Sequence, residues 1–176
     1  FSYPGDYFSA EAPEKYKIKG SFGHPVPVVD GKTQSSGAKA SAIVLKKEFT
    51  DVEDLLSIDY TSAYSTPSLD KLVRTFVYDR QGKGSFTVGD EFTANAPIRF
   101  ETAITTQANW KIIDDTHLLL TTGTEQMTVT IEASGKVAFT SETIEVNSPA
   151  YTRIGISLKE QSKDGYIRLT MRTKQL

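Results

Sequence analysis

Hydrophobic and polar residues alternate along most of this chain. Leu56, Ile58 and Tyr60 alternate cleanly with polar neighbours, as do Met127, Val129 and Ile131. A period of two marks a strand with one face buried. The same period, less regular, runs through Ala40, Ala42, Val44 and Phe49. It returns in Ile98, Phe100, Thr102 and Ile104, and again in Ile154, Ile156 and Leu158. Residues 73–79 differ. Val73, Thr75 and Val77 fall on one face and Arg74, Phe76 and Tyr78 on the other. Both faces are largely apolar or aromatic, which predicts a strand internal to the sandwich. Phe86 and Val88 predict its hairpin partner across the glycine-containing turn 80–84. Trp110, Lys111 and Ile112 face Leu118, Leu119 and Leu120 across a turn at Asp114, Asp115 and Thr116. Val137 and Phe139 follow a turn at 133–136. Ile144 and Val146 predict one more short strand, ended by Pro149. A tight turn at Lys163, Asp164 and Gly165 precedes Ile167, Leu169 and Met171. Residues 65–70 break the pattern and predict a short helical turn.

These amount to roughly a dozen strands spaced about 8–12 residues apart, which predicts an all-β fold. The expected architecture is an antiparallel two-sheet β-sandwich in a single domain, residues 1–176. No helical pattern exceeds two turns, and there is no internal repeat or low-complexity tract.

Composition removes several function classes. The net charge is -2, which offers no electrostatic case for nucleic acid or an anionic membrane. There is no cysteine, hence no disulfide framework and no thiolate zinc site. No apolar run approaches the ~18 residues that span a bilayer, and no signal peptide is visible. The abrupt start at Phe1, Ser2, Tyr3, Pro4 and Gly5 reads as mid-protein sequence, so a piece of a longer protein is expected.

The most constrained stretch is Gly20-Ser21-Phe22-Gly23-His24-Pro25-Val26-Pro27-Val28-Val29-Asp30-Gly31-Lys32-Thr33-Gln34. It holds one of the two histidines. Pro25 and Pro27 fix φ twice and remove two backbone donors, so the chain is extended there and cannot be a central strand. A short strand over 26–29 should stop at Asp30-Gly31. His24 is thereby held at a defined place, although from composition alone a histidine in an extended surface loop is the simpler reading. The second histidine, His117, sits beside Asp114 and Asp115 and reads as surface. Two histidines exclude a three-histidine metal site within one chain. The acidic turns at Asp51, Glu53 and Asp54 and at Asp114 and Asp115 lack a calcium loop and read as solvated. Arg74, Arg80, Arg99 and Lys111 offer cations for a sugar carboxylate or sulfate, since guanidinium grips such groups bidentately. Nothing in the order of residues makes them converge. No Ser-His-Asp pattern, P-loop, GxGxxG or HExxH is present.

The GSFGHPVPVVDGKTQ stretch resembles the N-S-x-G-H-x-V-P-x-V-x-G-x-x-Q segment of heparinase II/III-like polysaccharide lyases. Further pieces agree in order: Tyr3-Pro4-Gly5, Arg74-Thr75-Phe76, Asp79-Arg80, Val88-Gly89-Asp90-Glu91-Phe92, Trp110 and Arg153-Ile154-Gly155-Ile156. The resemblance runs over nearly the whole chain. It implies the supersandwich-like β-sandwich that follows an α-helical toroid in those lyases, with the toroid belonging to a longer parent. It implies cleavage of acidic, uronate-containing polysaccharides (glycosaminoglycans among them) by β-elimination, and a periplasmic or secreted location. It also implies a structural zinc for which His24 is the matching ligand. The family's Asp position is Tyr3 here, and the remaining histidine falls before residue 1. Asp6 is a nearby carboxylate that sequence cannot place. The catalytic residues of the family belong mainly upstream, so none is assigned in this chain, which is expected to be inert alone. The other reading is a free-standing carbohydrate-binding or adhesion sandwich with an aromatic platform drawn from Tyr7, Phe8, Tyr64 or Trp110.

Overall fold

The computed structural model describes residues 20–144 and 150–174. Its strands are β1 (Val28–Val29), β2 (Ile43–Phe49), β3 (Glu53–Asp59), β4 (Leu69–Asp79), β5 (Ser85–Ile98) and β6 (Phe100–Thr106). They continue as β7 (Asn109–Asp114), β8 (His117–Thr122), β9 (Glu125–Ala133), β10 (Val137–Ile144), β11 (Tyr151–Leu158) and β12 (Ser162–Lys174). They form two antiparallel sheets. The smaller has order β1-β6-β11-β10 and the larger β2-β3-β4-β5-β12-β9-β8-β7. The expected two-sheet β-sandwich of about a dozen strands is the fold observed.

The core lies between the sheets because the alternation aims one side chain in two at the facing sheet. The larger sheet sends in Leu72, Phe92, Leu118, Val129, Ile131, Ile167 and Leu169; the smaller sends in Phe100, Ile104, Ile154 and Ile156. Phe92 and Phe100 stack across the gap with ring centroids 4.5 Å apart. β4 is an internal strand, as its two apolar faces predict, paired with β3 and β5. The outermost strands of the larger sheet keep apolar residues in solvent: Ile43, Val44, Leu45 and Phe49 on β2, and Ile112 and Ile113 on β7.

Three local expectations need correction. The helical turn expected at 65–70 forms earlier, as a 3-10 turn at Thr61–Ala63. There the carboxylate of Asp59 accepts the amide of Thr61 at 3.0 Å, and Tyr64 N–H donates to Thr61 O at 3.0 Å. Ile144 does not open a separate strand: β10 pairs with β11 continuously from Val137 to Ile144, while Val146 lies outside the described residues. Asp164 and Gly165 are not a turn but lie within β12, just past an irregularity between Ser162 and Asp164. Gly165 is there for space: a Cβ would sit 2.7 Å from Ser134 Oγ. A glycine forced by close packing reads in sequence like a turn glycine.

Candidate functional site

Residues 20–29 form a strap that starts near the Thr106 end of β6 and pairs with that strand at the edge of the smaller sheet. A 3-10 turn at Ser21–Gly23 is closed by His24 N–H donating to Ser21 O at 3.1 Å. The two prolines then hold the chain extended until β1 pairs with β6, Val28 opposite Glu101 and Val29 opposite Phe100. The turn after β1 uses Asp30 at φ 50° and Gly31 at φ 72°, both left-handed, as Asp-Gly allows. Asp30 Oδ1 also accepts Arg99 N–H at 2.8 Å. The expected strand over 26–29 is thus shorter by two residues, because Pro27 has no amide to pair.

Prolines lack donors, but the carbonyls around them still need partners. Gly23, Pro25 and Pro27 are alternate residues, so in an extended chain their carbonyls face one way. Each meets a side-chain donor from a different part of the sandwich. Tyr151 Oη donates to Gly23 O at 2.8 Å, Arg74 Nη1 to Pro25 O at 2.7 Å, and Tyr64 Oη to Pro27 O at 2.8 Å.

Arg74 belongs to a buried network that joins the two sheets. Its Nε lies 2.7 Å from Asp90 Oδ1 and its Nη2 2.8 Å from Asp90 Oδ2. Tyr60 Oη donates to Asp90 Oδ1 and Thr102 Oγ1 to Asp90 Oδ2, both at 2.7 Å. Asp90 is 1% exposed and Arg74 6%. Burial opposes the Arg74 charge, but the adjacent Asp90 carboxylate more than offsets it, so the guanidinium pKa is raised. Burial, followed by the charge of Asp90, pushes the Tyr60 and Tyr64 phenols up, so both stay protonated donors. A second buried cation, Arg153, lies on the outer side of the smaller sheet. It bonds Glu101 Oε1 through Nη1 at 2.7 Å, and its guanidinium sits 4.4 Å from the Phe22 ring centroid. Gly155 makes room beside this pair: a Cβ there would lie 2.4 Å from Thr140 Oγ1 and 2.8 Å from the Glu101 carboxylate.

The strap presents His24 to solvent. His24 lines a shallow cavity of about 330 Å³ with Gly23, Thr105, Thr106, Gln107 and Tyr151. The wall offers hydroxyls and an amide and no carboxylate. Tyr151 is committed as a donor to Gly23, and burial raises its pKa. Such a cavity offers hydrogen-bonding partners to a polar group. Among the described residues no group of three His, Cys, Asp or Glu side chains is placed to hold a metal ion. Tyr3 and Asp6 lie outside the described residues.

The four cations singled out from sequence do not converge. Arg74 is committed to Asp90, so its availability to a ligand is corrected. Arg80 pairs with Asp54 at the tip of the β4–β5 hairpin. Arg99 lies at the β5–β6 junction, and Lys111 is exposed on the edge strand β7. Tyr64 is 7% exposed and belongs to no platform; Tyr7 and Phe8 lie outside the described residues. His117 is half-buried, its Nδ1 2.9 Å from Asp114 Oδ1. The Thr116 amide, His117 and the Thr116 hydroxyl hold the Asp114 carboxyl down at about 2. The missed feature is the Arg74–Asp90 pair. Its signal was present: each occupies a buried position on the otherwise apolar or aromatic face of its strand, beside Leu72 and Phe76 for Arg74 and beside Val88 and Phe92 for Asp90.

No family model matches the chain, and no curated protein matches it. Solved structures do. A structure of a heparinase III gene product superposes with a TM-score of 0.75 at 11% identity, covering 99% of this chain and 27% of that one. Heparan sulfate lyase HepC from Pedobacter heparinus gives 0.75 at 14% identity, over 100% of this chain and 28% of that one. The chain has the fold of part of heparinase III. A further heparinase III crystal structure agrees, with a TM-score of 0.71 at 16% identity over 92% of this chain and 25% of that one. The β-sandwich expected from the resemblance to heparinase II/III-like lyases is therefore the observed fold. The chain spans about a quarter of the length of these structures.

Proposed function

We propose that this chain is the β-sandwich of a heparinase II/III-like polysaccharide lyase. The longer parent would cleave acidic, uronate-containing polysaccharides by β-elimination, with this domain as one wall of the substrate cleft and a support for the α-helical toroid. The observation that carries the reading is the whole-chain fold match to heparinase III and a heparan sulfate lyase, of which the chain spans about a quarter. The apolar side chains left in solvent on β2 add support, because a domain docked on a larger partner keeps such a surface. β-Elimination needs a neutralised uronate carboxylate and a base within reach of the α-proton. Both are assigned to the parent's remaining sequence, so the isolated sandwich is inert. The family's periplasmic or secreted location is part of the same reading. Among the described residues no helix is long and apolar enough to cross a membrane.

His24 remains the proposed zinc ligand of the parent, with further ligands coming from outside the described residues. The test is His24→Ala in the parent. Zinc content should fall by one equivalent and lyase turnover by about 10–100-fold, the scale typical of losing support for a metal site. Unchanged zinc and unchanged turnover would remove His24 from the account.

A further inference from the structure

Gly89 stands in the middle of β5, a central strand of the larger sheet, between Thr75 on β4 and Arg168 on β12. Neither packing nor backbone demands a glycine there. A Cβ would meet only the Arg168 side chain, at 3.7 Å, an ordinary contact. Its φ is not among the positive ones. Gly155 and Gly165 differ, since a Cβ at either would lie within 2.8 Å of a neighbour. A strand-interior glycine weakens a sheet unless something must approach its backbone closely. What the missing side chain creates is a notch of about 340 Å³ on the outer face of the larger sheet. That is within the size range of small-molecule sites, about 300–1,000 Å³.

The walls carry matched chemistry. Tyr166 and Arg168 stand on one side, Thr75, Val77 and Thr87 on the other, and Glu91 pairs across from Tyr166. Tyr166 is 39% exposed, and its ring is an apolar platform for the C–H face of a pyranose. The Arg168 guanidinium lies 5.8 Å from that ring's centroid, with Nη1 3.0 Å from Glu132 Oε2. Its side chain is 52% exposed, which leaves the rest of a planar fork suited to carboxylate or sulfate. The threonine hydroxyls are fixed by neighbours: Thr75 to Ser57 at 3.1 Å and Thr87 to Thr170 at 3.0 Å. Glu91 disfavours a free anion but accepts a sugar hydroxyl.

We propose that this notch is a saccharide site, taking one acidic sugar unit of a polysaccharide through Arg168, Tyr166 and Glu91. It lies on the side of the sandwich away from His24, whose cavity is on the smaller sheet. It holds polysaccharide rather than cutting it. The choice of an acidic sugar rests on the lyase reading, but binding here is measured without turnover, so loss of binding and loss of parent lyase activity are separate failures.

The test is isothermal titration of the chain with a heparan sulfate hexasaccharide, its desulfated form and sodium sulfate. The hexasaccharide should bind, and Tyr166→Ala and Arg168→Ala should each weaken it at least tenfold. Gly89→Val, which fills the notch with a strand-favouring side chain, should do the same. Gly89→Ala, which the spacing accommodates, confirms that the strand tolerates a side chain through an unchanged melting midpoint. No hexasaccharide binding, binding indifferent to all three variants, or full competition by sodium sulfate with Tyr166→Ala silent would overturn the proposal.

Discussion

Asp90→Ala destabilises the chain by about 3–5 kcal/mol, the scale for removing one partner of a buried ion pair. The substitution leaves Arg74 charged between the two sheets and takes the acceptor from Tyr60 and Thr102 at once. An unpaired buried charge is costlier than the pair is favourable, so the informative comparison is a double variant. Asp90→Leu with Arg74→Met should recover most of the loss, because well-packed apolar replacements of buried pairs are often neutral. The double variant still lacks the Arg74 donor to Pro25 O. It should therefore regain its denaturation midpoint yet expose the strap to limited proteolysis. Equilibrium denaturation reads the first effect. A cost below about 1 kcal/mol for Asp90→Ala would mean that the charge reaches water and that the network does not bind the strap to the core.

Phe100→Ala costs a similar amount, about 3–5 kcal/mol for a buried aromatic cut to alanine. Phe100 is 1% exposed, stacks on Phe92 of the opposite sheet, and pairs through its backbone with Val29 of the strap. Its loss opens a cavity where the sheets and the strap meet. Denaturant titration measures it. Phe100→Leu, which keeps most of the volume, should cost less than half as much. Equal costs for the two variants would show that the stack, not the filled space, carries the stabilisation.

Much of this fold was legible because the period of two survives wherever one face is buried. β3, β9 and β11 follow the alternation that begins at Leu56, Met127 and Ile154 directly. Strand ends were less legible. Gly165 looks like a turn residue, but it lies in a strand because Ser134 leaves no space for a side chain. The extended strap was readable from Pro25 and Pro27, whose fixed φ acts locally. What fastens it was not, since Tyr151, Arg74 and Tyr64 are brought to it only by tertiary pairing. Arg74 shows the limit most clearly. As a residue type it suggested an anion ligand, and in the fold that ligand is Asp90 of the neighbouring strand.

The most direct test of the lyase reading is a β-elimination assay on this chain and on its longer parent. Absorbance of the new 4,5-unsaturated uronate end would be followed on heparan sulfate, chondroitin and alginate. The account predicts turnover by the parent on at least one acidic polysaccharide and none by the chain alone. Silence from the parent on all three, or turnover by the isolated sandwich, would contradict it.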